Sequence, residues 1–183
     1  MKRLIIALFL LLLLVMMVLA PYISYKAKER RETQYIVVET PEMVELRQQK
    51  EAEETRQLYC LASNVYHEAR GEGLRGMFAV ARVTLNRTKS SKFPSDICSV
   101  VYERKQTGCQ FSWVCDDISD RMVDADSVED ALYVAKAAMD GERIDYIGDS
   151  VVYYHSNKVK PKWSKKMKLV AVIGKHKFYS EKT

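Results

Sequence analysis

Apolar residues follow three different rhythms along the chain. From Leu4 to Ala20 they run without a charge, extended weakly by Pro21, Tyr22 and Ile23. Roughly 20 helical residues at about 1.5 Å each cross a hydrocarbon core of about 30 Å, so one transmembrane helix is predicted over 1–23. Residues 24–39 are a short, charged stretch without a period, which predicts a juxtamembrane linker. Thr40-Pro41 then reads as an N-cap with proline at the first helical position. The following helix is mostly Glu, Gln, Lys and Arg, with other good helix formers, as far as 57, a solvated stalk. From Leu58 the apolar positions Tyr59, Leu61, Ala62, Val65 and Tyr66 predict that the same helix enters a core and ends near Arg70, where Gly71 and Gly73 stop it.

Helical spacing recurs at Leu74, Met77, Phe78, Ala81 and Leu85, which predicts a second helix over 74–88. "FPSDICSVVY" offers Ser95 as the cap of a short helix, and 103–126 reads as a loop. Ser127 with Asp130 opens a third helix that Gly141 stops. Beyond it the period changes to that of strands. "SVVYYHS" (150–156) and "LVAVI" (169–173) are β-branched and aromatic, and Gly174-Lys175 reads as a two-residue turn into "HKFYS". The fold class expected is α+β, with helices first and a small C-terminal hairpin region. The organisation expected is 1–23 span, 24–57 linker and stalk, and 58–180 domain.

The apolar run is long and Leu-rich for a cleavable leader, and Pro21 follows its last small residue, so a retained signal-anchor is expected. Lys2 and Arg3 favour a cytoplasmic N-terminus, whereas Lys26, Lys28, Arg30 and Arg31 argue for the reverse. Four cysteines form an even set behind a membrane span, as in an oxidising compartment. Cys109 and Cys115 enclose only five residues and are expected to bridge, which leaves Cys60 with Cys98 among three possible connectivities. The net charge is +5, yet eight lysines and no acid lie between Lys158 and Lys177. Such a face suits an anionic polymer or lipid head groups. No nucleic-acid recognition motif is present, and the compartment disfavours one.

"YHEARGEG" (66–73) gathers the chemistry. A zinc-protease helix needs His-Glu-x-x-His. After His67 the second histidine would stand at 71, which is Gly71, and the three histidines are scattered, so no metal or other cofactor is expected. Two carboxylates remain. Glu68 ends a helix that has turned apolar, a setting that raises a carboxyl's pKa towards that of a general acid. Glu72 lies beyond the glycine break, so helical spacing does not fix its distance from Glu68, and it stands as the secondary candidate. Arg70, Thr84, Asn86, Ser112, Trp113, Tyr154 and His155 are the candidates for substrate contact. The Trp113 ring suits stacking on a sugar face and equally suits burial in the core of its own cysteine-bounded loop.

Five stretches in order, "NVYHEARGEGLRGMFAVARVTLNR", "FPSDICSVVY", "CQFSWVCD", "VVYYHSNKVKPKW" and "AVIGKHKFYS", resemble the cell-wall hydrolase domain of the SleB/CwlJ type found in spore cortex-lytic enzymes and in many bacterial and phage proteins. The resemblance covers roughly Leu58 to Ser180. It implies a lysozyme-like α+β fold acting on peptidoglycan glycan strands between N-acetylmuramic acid and N-acetylglucosamine, similar to a lytic transglycosylase, with Glu68 as the acid. The anchor and stalk depart from the spore enzymes, so a spore role is not implied. The localisation expected is the cytoplasmic membrane, with the domain on its outer side. Two other readings stand beside this one: an N-acetylmuramoyl-L-alanine amidase, which usually needs zinc, and a tethered murein-binding protein without activity.

Overall fold

A computed structural model describes residues 2–32, 39–106, 108–144 and 147–182. It divides into two compact units, Met1–Leu46 and Arg47–Thr183. In the first, α1 (Lys2–Glu32) contains a segment, Ile5–Glu29, of 25 residues that is long and apolar enough to cross a membrane. The helix continues through 24–32, where a linker was expected. Lys26 and Glu29 pair there at 2.9 Å, a local contact that suits continued helix. The rest of the expected linker, 33–38, lies outside the described residues.

Helix α2 (Pro41–Ala69) starts as its sequence dictates. The Thr40 hydroxyl accepts the Met43 N–H at 3.3 Å, and Thr40 O accepts that of Val44 at 3.1 Å. Its charged half is laced by pairs such as Arg47–Glu51 at 3.3 Å and Arg56–Glu53 at 2.7 Å. It stops where Gly71 adopts φ +81°, a left-handed turn that glycine takes without steric cost.

The core of the second unit is built around α3 (Gly73–Thr88), which packs on α4 (Ile97–Val101), α5 (Ala125–Met139) and β3 (Val151–Ser156). Leu61, Val65 and Tyr66 of α2 meet Phe78, Val80 and Val83 of α3 in one buried cluster with Val100, Val134, Val151 and Phe178. Two caps differ from expectation. Asp96, not Ser95, caps α4 by accepting the Ser99 N–H at 2.9 Å. Asp124, three residues before Ser127, caps α5 by accepting the Ser127 N–H at 2.7 Å. A carboxylate within a residue or three of a serine competes for the same orphan amides, and its charge favours a helix N-terminus.

Strands β1 (Arg104–Lys105) and β2 (Gly108–Cys109) make a short ladder inside the expected loop, followed by a 3-10 turn, Ser112–Cys115. Disulfides join Cys60 to Cys98 and Cys109 to Cys115, with Cα–Cα separations of 5.1 and 6.0 Å. Strands β4 (Lys168–Ile173) and β5 (His176–Ser180) form the hairpin about Gly174-Lys175, and β3 pairs with β5 as well. The C-terminal region is therefore a three-stranded antiparallel sheet in the order β3-β5-β4.

Candidate active site

Glu68 stands in the last turn of α2, and its carboxyl opens into a cleft of about 590 Å³. The walls come from the segment after β2 (Gln110, Phe111, Ser112), from β3 (Tyr153, Tyr154, His155, Ser156), from the 3-10 turn Lys162–Lys166 with its neighbour Met167, and from His176 at the start of β5. Among the described residues, Glu68 is the only acid that lines it.

Burial pushes the Glu68 carboxyl above its ordinary pKa of 4.5, while two groups hold that rise in check. The Tyr154 hydroxyl donates to Glu68 Oε2 at 2.9 Å, and the Arg87 cation favours the carboxylate. Tyr154 in turn is held well above its usual range, first by burial and then by the adjacent carboxylate, so it stays a neutral donor.

Arg87 is a buried cation, 4% exposed. Its Nε donates to Val152 O at 2.9 Å, and its guanidinium lies over the rings of Phe93, Phe111 and Tyr154 at 5.2, 5.1 and 5.9 Å. Gln110, with its amide oriented by its neighbours, donates to Glu103 at 3.1 Å and accepts from Arg87 at 3.3 Å. Burial draws the guanidinium's pKa below its ordinary value, and it remains a cation.

Of the residues expected to contact substrate, Ser112, Tyr154 and His155 line the cleft. The His155 ring is fixed on both sides. Its Nδ1 lies 2.8 Å from Ser156 O and its Nε2 2.9 Å from the Tyr179 hydroxyl, so in the neutral ring Nδ1 donates and Nε2 accepts.

Four others do not line it. Thr84 is buried and accepts from Asn64 Nδ2 at 3.1 Å, and Trp113 Nε1 donates to Asn64 Oδ1 at 3.2 Å. These three residues tie α2, α3 and the Ser112–Cys115 turn together, and Trp113, 6% exposed, stacks on His67 at 4.4 Å and not on open space. Asn86 donates to Gly148 O at 3.0 Å and Val151 O at 2.9 Å, fixing the approach to β3. Arg70 donates to the Tyr66 hydroxyl at 2.9 Å and covers that ring. His67 Nε2 lies 3.2 Å from Asp120 O.

Glu72 is also turned away from the cleft lining. Its side chain is 5% exposed, and Oε2 accepts the Lys175 N–H at 2.7 Å. A Cβ at Gly174 would fall 1.8 Å from that oxygen, and Gly174 has φ +55°, so glycine is required at the turn on both counts. Glu72 thus latches the break after α2 to the β4–β5 turn. His176 Nδ1 lies 3.9 Å from Glu72 Oε1, and burial lowers its pKa.

Sequence reasoning missed Arg87, Gln110, Phe111, Tyr153, Ser156, Trp163, Met167 and His176 in or beside the cleft. Arg87, Trp163 and His176 all lie within the stretches that carry the family resemblance.

Residues 71–179 match the model of a family described as Cell Wall Hydrolase, a match that begins just after Glu68. Over 121 residues the chain is 30% identical to the spore cortex-lytic enzyme of Bacillus cereus, covering 66% of this chain and 43% of that protein. It is 29% identical over 121 residues to the spore cortex-lytic enzyme of Oceanobacillus iheyensis, covering 66% and 40%. The chain therefore spans about two fifths of the length of these curated relatives. The catalytic domain of the germination-specific lytic transglycosylase SleB from Bacillus anthracis superposes with a TM-score of 0.53 at 29% identity, over 68% of this chain and 93% of that one. The catalytic domain of Bacillus cereus SleB gives 0.54 at 28% identity, over 69% and 91%. The fold is that of these catalytic domains.

Proposed function

Because the chain belongs to the cell wall hydrolase family, we propose that it cleaves peptidoglycan glycan strands between N-acetylmuramic acid and N-acetylglucosamine, as a lytic transglycosylase with Glu68 as its acid and base. The observation that carries this reading is a cleft lined by one carboxylate, Glu68, whose pKa is raised by burial and whose Oε2 is held by Tyr154.

The chemistry follows from that single group. Neutral Glu68 gives its proton to the glycosidic oxygen as the bond from muramic C1 to that oxygen breaks and positive charge develops on the ring. The carboxylate left behind is favoured by the Tyr154 hydroxyl and the Arg87 charge. It takes the proton of the muramic 6-hydroxyl as that oxygen bonds to C1. The product is a 1,6-anhydro end, Glu68 is again the acid, and no water is consumed. Hydrolysis with a second carboxylate would call for a partner about 5–9.5 Å away. Glu72, the nearest in sequence, is engaged by the Lys175 N–H and lies outside the cleft lining.

Within the same proposal, the apolar segment Ile5–Glu29 of α1 anchors the chain in the cytoplasmic membrane with the domain on its outer side. The two disulfides suit that oxidising side. Mass spectrometry of fragments released from purified murein tests the reaction class. Anhydro-muramic ends are expected. Reducing ends would make it a hydrolase using water, and freed peptides would make it an amidase.

A further inference from the structure

Between Lys158 and Lys177 the chain carries eight lysines and no acid. Lys158, Lys160, Lys162, Lys165, Lys166 and Lys168 are exposed, and none of them has an ion-pair partner among the described residues. The seventh, Lys175, reaches Glu72 at 3.9 Å.

These lysines are not scattered over the fold. Lys162, Lys165 and Lys166 share a 3-10 turn with Trp163, and Trp163 and the following Met167 line the cleft. The turn is fixed by its indole, which lies 5.5 Å from the His155 ring, 5.5 Å from Tyr179 and 5.8 Å from Tyr153. At about 2 Å of rise per residue, five residues of such a turn span about 10 Å. The backbone that carries these lysines therefore stays within about 10 Å of Trp163 in the cleft wall, roughly one Debye length. The cleft itself contributes one acid, Glu68, against the buried cation Arg87.

In a strand the muramic lactyl carboxyl is amide-bonded to the peptide stem, so the negative charge is carried by the stem carboxylates. Removing a stem leaves a single lactyl carboxylate in place of the more numerous carboxylates of the stem. We propose that the lysine wall from Lys158 to Lys168 binds the stem carboxylates of the strand held in the cleft, so that the protein selects stem-bearing strands over bare glycan. This rests on the reading of the cleft as a glycan site. A bilayer is the competing occupant, since Val159, Leu169, Val170 and Val172 are exposed nearby. The stems are favoured because Trp163 and Met167 make the lysine turn part of the cleft wall, whereas the exposed apolar side chains of β4 do not line it.

The test uses the full chain in detergent, carrying Glu68→Gln so that strands survive the titration. Soluble uncross-linked strands, freed of phosphate polymers, are titrated with and without their stems. Stem-bearing strands are expected to bind about tenfold tighter at low salt, as a sum of several exposed pairs each of small effect. Replacing Lys160, Lys162, Lys165 and Lys166 together by Gln should bring that ratio close to one, as should high salt. Equal binding of the two strands, or a ratio that survives the four substitutions, overturns the proposal. So does equal binding combined with trypsin protection of Lys158–Lys168 in phosphatidylglycerol nanodiscs but not phosphatidylcholine ones, which assigns the surface to the bilayer. Failure of the protein with Glu68 intact to cut either strand would count against the glycosidase reading alone, because stem-dependent binding is read without cleavage.

Discussion

The Tyr154 hydroxyl donates to Glu68 Oε2 at 2.9 Å, so the end of a helix and the middle of a strand 86 residues later converge on one carboxyl. The contact does two things. It fixes one carboxyl oxygen, leaving the other for the substrate, and it favours the ionised form against the burial that opposes it.

Tyr154→Phe therefore acts on the pH profile. Proton donation needs neutral Glu68, so kcat is lost as pH rises through the raised Glu68 pKa. Without the tyrosine's bond the carboxylate is less favoured, that pKa rises further, and the alkaline limb moves to higher pH. The plateau should fall about tenfold, the scale of one hydrogen bond to a charged group. Profiles of kcat against pH for the two proteins check this; a limb that stays in place would mean that Tyr154 only packs.

Glu72 is predicted to matter for stability more than for rate. Glu72→Ala leaves the Lys175 N–H without its acceptor, at a cost of about 2 kcal/mol. Glu72→Gln keeps an acceptor oxygen and should cost less. Thermal melts order the three proteins, and murein cleavage per folded molecule should stay within about threefold. A folded Glu72→Gln that loses a hundredfold or more would make Glu72 part of the chemistry.

The two bridges should differ in weight. Cys60–Cys98 spans a separation of 38 residues and Cys109–Cys115 one of 6. On the chain-entropy model these are worth about 4 and about 2 kcal/mol. Replacing Cys60 and Cys98 by Ala should lower Tm more than replacing Cys109 and Cys115; the reverse order would show that the short loop's own packing dominates.

Much of this arrangement was legible in the chain because it rests on local rules. Gly71 ends α2, Gly174-Lys175 turns β4 into β5, and Thr40 caps α2, each through backbone chemistry that a few neighbouring residues specify. What failed depends on distant partners. Helical spacing puts Thr84 and Asn86 on the inner face of α3, but whether that face meets cleft or core is set by Asn64, Gly148 and Val151. For Trp113 the sequence left sugar stacking and burial equal, and the bond to buried Asn64 selects burial. Arg87 escaped notice because a charged residue on a helix is expected in solvent. Only the tertiary structure surrounds it with Phe93, Phe111 and Tyr154.

The central claim is that one carboxyl, Glu68, is both acid and base in a strand-cleaving reaction. Its most direct test is the rate at which folded Glu68→Gln releases fragments from purified murein, compared by mass spectrometry with the unsubstituted protein. The amide keeps the shape and removes the proton, so release of anhydro-ended fragments should fall by about 10²–10⁴-fold or more, with circular dichroism unchanged. A folded Glu68→Gln protein that still releases those fragments at near the original rate would contradict the account.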